Sequence, residues 1–243
     1  MRKQLRFLGA VVTAGICVSA LGACDLRAKS TLQDDAVVSE KITSVRLDND
    51  SGGITLRGGK NATEVSVRRL MEYRGDPREG TTYRVEKGVL ILGGCGRHCS
   101  VNYTVDLPAG LPVSGETSSG AVALTDVGEV DVTTTSGAIE LDGVTGAVVA
   151  RTSNGRITGR GLNGGRVQAR TSNGAIDLTL VTPQDVRAET SNGGITLTVP
   201  AGRYKVSART QNGGKDIGVS DDPAGEHQLD LTTSNGAITV KPA

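Results

Sequence analysis

Two cysteines with a histidine close by are the residues whose types and spacing most suggest chemistry. Cys95 and Cys99 lie in the segment GGCGRHCS, where His98 directly precedes the second cysteine. Thiolates and imidazoles are zinc ligands, but a structural zinc site needs four of them. His227, the second of the two histidines in the sequence, is distant along the chain, and no second cysteine pair follows. A zinc site is therefore a weaker interpretation than a disulfide.

The geometry of the segment decides how such a disulfide could form. Fully extended, the chain would hold the two Cα atoms beyond disulfide range. If residues 96–98 formed a three-residue hairpin loop between strands at 89–92 and 100–105, the two cysteines would face each other. We therefore predict a disulfide between Cys95 and Cys99 that fastens this hairpin, with zinc ligation or free thiols as the alternatives.

Carboxylates are the other groups that could do chemistry, because parallel β-helices can carry polysaccharide lyases and hydrolases whose carboxylates converge on one face. Each candidate here also fits an outward, solvated position. The sequence has neither a nucleophile-elbow Gly-Ser motif nor a phosphate loop that ends in Lys-Ser/Thr. We therefore predict a protein that is not an enzyme, with no catalytic residue, metal or cofactor. The carboxylates considered are Glu140, Asp177, Glu189 and Asp216.

A short phrase, Thr-Ser-Asn-Gly or a close variant, returns along the chain and must position everything else. Its final glycines run from Gly120 to Gly236 in steps of 17, 18, 19, 19, 20 and 23 residues. Apolar residues alternate on both sides of the phrase, which predicts strand, tight turn, strand in every repeat. Asn-Gly suits a tight turn because both residues tolerate positive φ. The predicted turn residues are Asn154, Gly155, Asn173, Gly174, Asn192, Gly193, Asn235 and Gly236.

Two architectures fit a strand–turn–strand repeat, namely an antiparallel meander and a β-solenoid. The solenoid is favoured because Thr, Ser and Asn recur in register, as in hydrogen-bonded ladders, and because length varies only in the other connection. We predict an all-β chain: a β-solenoid of about seven coils of 17–23 residues, after an irregular N-terminal β section. At residues 213–217, where Lys215-Asp216 displaces the expected apolar residue, we expect a bulge or a frayed turn.

Charge patterning points to one surface. The chain has 27 basic and 26 acidic residues, a balance that carries no nucleic-acid footprint. The residue before each turn threonine should point outward, and it is mostly arginine. In stacked coils this predicts a largely cationic stripe that could meet a polyanion; the alternative is a solvated face on which Glu189 pairs with its neighbours. The stripe residues are Arg151, Arg170, Arg187 and Arg209.

The N-terminal segment predicts export. Residues 1–23 combine a basic start, an apolar stretch and small residues, and the junction Leu-Gly-Ala-Cys resembles a lipobox with Cys24 as the lipidated residue. The alternative is an ordinary signal peptide. We expect residues 24–40 to form a polar tether, 41–110 the N-terminal β section with the cysteine hairpin, and 111–243 the regular solenoid. This places the protein outside the cytoplasm, lipid-anchored to the bacterial cell membrane.

The repeated phrases, the passage VDLPAGLPVSGETSSGAVAL (residues 105–124) and the lipobox together resemble a bacterial β-strand-repeat family of proposed adhesins. The resemblance covers residues 41–243. It implies an exported or membrane-attached domain of unknown molecular function and supplies no catalytic residues. The first hypothesis is a binding or scaffold module for a cell-wall polymer or an envelope protein. The alternatives are an envelope-integrity or signalling accessory that contacts a membrane protein and, third, a carbohydrate-active β-helix enzyme.

Overall fold

Strands account for all the regular structure in the part of the chain that the computed structural model describes, residues 29–75 and 80–243. The expected signal peptide and the lipidation candidate Cys24 lie outside the described residues. Within them, no helix has the length and apolar character needed to cross a membrane.

The strands alternate between two sheets along most of the chain. Their bounds are β1 Ser30–Val38, β2 Ser44–Ser51, β3 Ile54–Gly59, β4 Val65–Tyr73, β5 Tyr83–Glu86, β6 Val89–Gly93, β7 Cys99–Pro108, β8 Val113–Ser119, β9 Val122–Thr125, β10 Val130–Ser136, β11 Ile139–Asp142, β12 Val148–Asn154, β13 Ile157–Leu162, β14 Val167–Asn173, β15 Ile176–Leu180, β16 Val186–Asn192, β17 Ile195–Val199, β18 Tyr204–Asn212, β19 Lys215–Ile217, β20 His227–Asn235 and β21 Ile238–Pro242.

The fold is the predicted β-solenoid. Each coil places one strand in a ten-stranded sheet, in the order β18-β20-β16-β14-β12-β10-β8-β2-β6-β5. Its next strand lies in an eleven-stranded sheet, in the order β1-β4-β7-β3-β9-β11-β13-β15-β17-β21-β19. Residues 111–243 form the seven expected coils, and neighbouring coils pair in parallel with identical repeat positions side by side.

Alternation along each strand builds the core between the sheets. In one coil Val167, Ala169, Ile176 and Leu178 are all buried, while Gln168, Arg170 and Asp177 face outward. β-branched and other aliphatic side chains fit such a pleated, enclosed surface. The core of the regular coils is therefore a stack of aliphatic rungs, with Tyr204 the largest buried side chain at the C-terminal end.

The N-terminal section adds two more coils of the same kind and a cap. Coils β2–β3 and β6–β7 stack on β8–β9 in the same two sheets. Beyond them, β5 pairs antiparallel with β6, β4 with β7, and β1 with β4. Antiparallel strands at this end cover the open edge of the last coil.

The expected polar tether at residues 24–40 needs a correction, because residues 30–38 are strand β1. The strand is mostly exposed, so its polar sequence gave no apolar signal. Backbone pairing with β4 holds it, and two ion pairs join the strands: Arg68 Nε lies 2.7 Å from Asp35 Oδ1, and Arg69 Nη2 lies 2.6 Å from Asp34 Oδ2.

Chain order and stacking order differ at both ends of the solenoid. Coil β6–β7 lies outside β2–β3, although it follows later in the chain. At the other end, coil β20–β21 is inserted between β16–β17 and β18–β19. The outermost coil at the C-terminal end is therefore β18–β19, not the last one in sequence.

The repeated phrase forms one corner of every regular coil in residues 111–243, but not through a positive-φ turn at asparagine. Asn154 and Asn173 are the last residues of extended strands, and the non-glycine residues with positive φ in the described chain are Lys87, His98 and Asp126. The glycine is needed because the coils touch. A Cβ atom on Gly155 would lie 1.9 Å from the carbonyl oxygen of Gly137 in the neighbouring coil.

Of the two alternatives expected at residues 213–217, a bulge or a frayed turn, the bulge is wrong. Lys215 pairs with Ile238 and Ile217 with Val240 in unbroken parallel register, and the Ile238 N–H donates to the Gly214 carbonyl at 3.0 Å. The lysine is tolerated at a normally apolar position because β19 is the edge strand and the side chain there is exposed. A charge at such a position also discourages pairing with another strand.

The corner threonines form a ladder of partly buried hydrogen bonds. The Oγ1 of Thr152, Thr171, Thr190, Thr210 and Thr233 each donates to a glycine carbonyl of the adjacent coil, at 2.9–3.0 Å. Thr117 breaks the pattern: its buried Oγ1 has no partner among the described residues. Asn49, which pairs with it in register, donates to the Gly52 carbonyl at 3.1 Å and so occupies the acceptor that Thr117 would use.

We expect Gly155→Ala to lower the free energy of unfolding by about 3 kcal/mol or more, because the new methyl meets a backbone carbonyl that cannot move without displacing its coil. Gly214→Ala is the matched control, since a Cβ there has no atom within 4 Å. Its effect should stay within about 0.5 kcal/mol in urea unfolding. Equal stability of the two variants would contradict the close-contact explanation.

The threonine ladder gives a second comparison. Thr171→Val should cost about 1–2 kcal/mol, because it removes a buried donor from the Gly155 carbonyl. Thr117→Val, which replaces a hydroxyl with no partner among the described residues, should leave stability unchanged or raise it. Thermal and urea unfolding of both variants measure the difference, and a larger loss at Thr117 would show that its hydroxyl is satisfied in solution.

Candidate functional site

The outer face of the ten-stranded sheet carries the predicted arginines. Parallel register places Arg151 beside Arg170 and Arg170 beside Glu189. The next position in the row is Thr232, and Arg209 follows it, because β20 lies between β16 and β18. The row is therefore interrupted between Glu189 and Arg209, which the chain order alone did not indicate.

Acidic side chains accompany every arginine of the predicted stripe. The nearest nitrogen–oxygen distance is 3.1 Å for Arg151–Asp131, 3.5 Å for Arg170–Glu189 and 3.1 Å for Arg209–Asp230. Arg187 donates from Nε to Glu189 Oε1 at 2.6 Å. The face is thus a network of both signs instead of the mostly cationic stripe we expected, because each acid belongs to the strand next to its arginine or to the same strand.

A shallow groove runs across this network between β12 and β20. Three of the stripe residues line it, and Arg209 does not. The others that line it include Arg166, Gln168, Asp185 and Gln228. Asp185 accepts from the Gln228 backbone N–H at 3.0 Å and from Arg166 Nη2 at 3.0 Å, and these contacts hold the pKa of its carboxyl below the ordinary value. Our sequence reading missed Arg166 and Asp185. Both directly precede the first valine of a repeat strand, so aligning the repeats would have placed them in one row.

The candidate catalytic carboxylates do not converge on one groove. Glu140 and Asp177 lie on the outer face of the eleven-stranded sheet with Thr158 between them, and Asp216 lies on its edge strand. Glu189 lies on the opposite sheet. Within residues 29–75 and 80–243, no group of three or more His, Cys, Asp or Glu side chains is arranged to hold a metal ion.

Cys95 and Cys99 are joined by a disulfide, with their Cα atoms 5.6 Å apart. The hairpin expected around it is wrong: β6 pairs with β2 and β5 in one sheet, while β7 pairs with β3 and β4 in the other. The loop between them is a solenoid corner that lacks the Thr-Ser-Asn-Gly phrase. The disulfide spans this corner, where His98 adopts a φ of 59°.

Comparison with known families assigns the repeat. The family model described as Toastrack DUF4097 matches residues 111–241, more than half of the chain. The chain belongs to the Toastrack DUF4097 family. The matched residues are those of the seven regular coils, so the Toastrack region contains the corner ladders and the arginine groove.

Comparison with curated proteins finds no significant match. Among solved structures, the Toastrack chain is similar to a proposed adhesin from Bacteroides fragilis, with 13% identity, TM-score 0.45, and coverage of 89% of this chain and 99% of the other. It is also similar to a proposed cell adhesion protein from Clostridium sporogenes (12% identity, TM-score 0.40, coverage 88% and 100%). A third similar structure is a proposed lipid-binding protein from Parabacteroides distasonis, with 10% identity, TM-score 0.40, and coverage of 87% of this chain and 95% of the other. Similarity at this level assigns no function to the chain.

A second cluster of polar groups lies before the Toastrack region, at the capped end. Arg69 is buried and binds Asp34 through Nε and Nη2, while its Nη1 donates to Thr82 Oγ1 at 3.2 Å. Thr82 Oγ1 lies 2.5 Å from the Tyr103 hydroxyl, which donates to the Gly93 carbonyl at 2.8 Å. Burial raises the pKa of Tyr103 to about 12, so the phenol is neutral at physiological pH. Because every group has a partner, this cluster joins β1, β4 and β7 and offers no open position to a ligand.

Proposed function

We propose that this Toastrack protein is a lipid-anchored binding module outside the cytoplasm, and that it binds an acidic polymer of the bacterial envelope in the groove of the ten-stranded sheet. The observation that carries the proposal is the set of four arginines that line this groove, three on the adjacent strands β12, β14 and β16 and one, Arg166, directly before β14. Their exposed side-chain fractions are 47% for Arg151, 64% for Arg166, 71% for Arg170 and 60% for Arg187.

The ion pairs leave the arginines able to bind. A guanidinium has five N–H donors, and contact with one carboxylate oxygen occupies one or two of them. Exposed pairs of this kind contribute only about 0–1 kcal/mol, so a carboxylate or phosphate on a polymer can add to or exchange with the internal acid. Strands in a sheet are about 4.8 Å apart. Arg151 and Arg170 share one register position, and Arg187 lies beside Gln168 on the next strand, so the arginines present a staggered set of cations to a linear chain of charges.

The carboxylates of the groove favour binding over catalysis. A general acid at neutral pH needs a raised pKa. The Gln228 N–H and Arg166 shift the pKa of Asp185 in the opposite direction.

Membrane attachment rests on Cys24. In cells that export the protein, Cys24→Ser should move it from the membrane fraction to the soluble fraction, because the thiol that carries the lipid is lost. Cys17→Ser is the matched control within the apolar stretch and should leave fractionation unchanged. If Cys24→Ser protein stayed in the membrane fraction, another mode of attachment would replace the lipoprotein proposal. If the parent protein itself were in the soluble fraction, an ordinary signal peptide would replace it.

Polymer binding is tested with the Cys24→Ser protein, which retains strand β1 and therefore the whole N-terminal cap. We expect it to co-sediment with isolated cell wall and to dissociate as salt rises, because screening weakens exposed charge contacts. Arg170→Gln with Arg187→Gln should weaken binding by about tenfold or more, since two charge-assisted contacts are lost.

The control is Arg156→Gln with Arg160→Gln, which removes two exposed arginines associated with the other sheet and should bind as the parent does. An equal loss in both double variants would mean that net charge, not the groove, governs binding. Failure of the parent itself to bind would contradict the polymer proposal and favour the alternative of a membrane-protein partner, to be sought by crosslinking in intact membranes.

A further inference from the structure

The asparagines of the corner form a continuous ladder on the surface of the solenoid. From Asn173 onward, each side-chain Nδ2 donates to the Oδ1 of the preceding asparagine in the stack, at 2.9–3.0 Å. The ladder follows the stack and not the chain, so its last member is the asparagine of coil β18–β19. In stacking order it consists of Asn154, Asn173, Asn192, Asn235 and Asn212.

Each of these asparagines precedes a glycine, and this dipeptide has a known chemical liability. The unhindered glycine nitrogen can attack the side-chain amide carbon of the asparagine. A glycine N–H that is held in a backbone hydrogen bond within a rigid coil is restrained from doing so, because the attack requires the backbone to leave its extended conformation.

Four of the five corner glycines are restrained in this way. The N–H groups of Gly155, Gly174, Gly193 and Gly236 each donate to the asparagine carbonyl of the next coil in the stack, at 2.8–3.0 Å. Gly213 is in the outermost coil, and its N–H has no acceptor among residues 29–75 and 80–243. Gly213 and Gly214 are also exposed, whereas the other four corner glycines are half-buried.

We propose that Asn212 is a site of spontaneous modification, where the exposed end of the solenoid converts asparagine to aspartate and isoaspartate while the other corner asparagines are protected. The Gly213 nitrogen forms a bond to Cγ of Asn212, and the Cγ–Nδ2 bond breaks. Nδ2 leaves as ammonia with the proton lost by the glycine nitrogen, which gives a succinimide ring. Water then opens the ring at either carbonyl, and no oxidant or reductant is needed.

The conversion would change the end coil and leave the others intact. Asn212 Nδ2 donates to Asn235 Oδ1 at 2.9 Å, and a carboxylate at this position cannot make that donation. Isoaspartate also adds a methylene to the main chain at the point where the Asn212 carbonyl accepts from the Gly236 N–H at 2.9 Å. Both changes weaken the attachment of β18 to β20.

The chain contains a built-in reference. Besides the five corner dipeptides the sequence contains one more Asn-Gly, Asn163-Gly164, which lies in the opposite connection. Both residues are exposed, and the Gly164 N–H has no acceptor among the described residues. The Asn163 Oδ1 accepts from Thr182 Oγ1 at 3.0 Å, as the Asn212 side chain is also held by one hydrogen bond. Asn163 should therefore react in the folded protein and report the rate of a site whose glycine N–H is unrestrained.

The experiment is peptide mapping by mass spectrometry after incubation of the folded protein at mildly alkaline pH, with a urea-unfolded sample alongside. In urea all six sites should convert at similar rates. In the folded chain Asn212 should convert at a rate close to that of Asn163 and at least about tenfold faster than each of the other corner asparagines, a difference of about 1.4 kcal/mol in activation free energy.

Two variants confirm the site. Asn212→Gln should abolish the conversion at the end coil, whereas Asn192→Gln, its matched control inside the stack, should leave it unchanged. Protection of Asn212 equal to that of Asn173 and Asn235 would overturn the proposal, and so would faster conversion at any interior corner. Neither result depends on whether the groove binds a polymer.

Discussion

The close contact between coils at the Thr-Ser-Asn-Gly corner is the constraint on which the rest of the structure depends. Each corner glycine stacks on the glycine carbonyl of its neighbour so closely that a Cβ would lie about 2 Å from it. Such a contact permits one register only, because a shift by one residue would place serine, asparagine or a larger side chain against the carbonyl. Once the corner is fixed, the threonines inside it, the asparagines outside it and the apolar residues on either side all fall into rows.

The same constraint explains why the surface is ordered enough to act as a binding face. Side chains two residues apart point to the same side of a strand, so fixed corners turn every outward position into a row across the stack. Arg170 therefore meets Glu189, and Gln168 meets Arg187, through the register of the corner and not through attraction between the charges. Exposed ion pairs are too weak to set a register themselves. Insertions are confined to the opposite connection, where they lengthen a coil without shifting its rows.

The features that repeat could be predicted from the sequence, whereas those that depend on the stacking order of the coils could not. The all-β solenoid and its seven regular coils follow from the spacing of Gly120 to Gly236 and from the alternation around it. Because the repeats are nearly interchangeable, nothing local shows that β20 enters between β16 and β18. The interrupted arginine row could not be foreseen for the same reason. Strand β1 could not be predicted, because an edge strand held by backbone pairing and by Asp34 and Asp35 has no apolar pattern. The cysteine loop was predicted to be a hairpin because local spacing does not distinguish a hairpin from a solenoid corner.

The two ends of the stack are chemically different, and this difference gives the molecule a direction. At one end antiparallel strands and the Arg69–Asp34 pair close the structure. At the other end, the exposed corner of coil β18–β19 leaves the Gly213 N–H without an acceptor among the described residues. Cys24 precedes β1 by only six residues, which span at most about 20 Å when extended. If the lipid is attached there as proposed, the capped end lies next to the membrane and the nine coils extend outward by roughly 40 Å at the spacing of neighbouring strands. The arginine groove, on coils nearer the open end, is then raised above the lipid headgroups, where a polymer of the envelope can reach it.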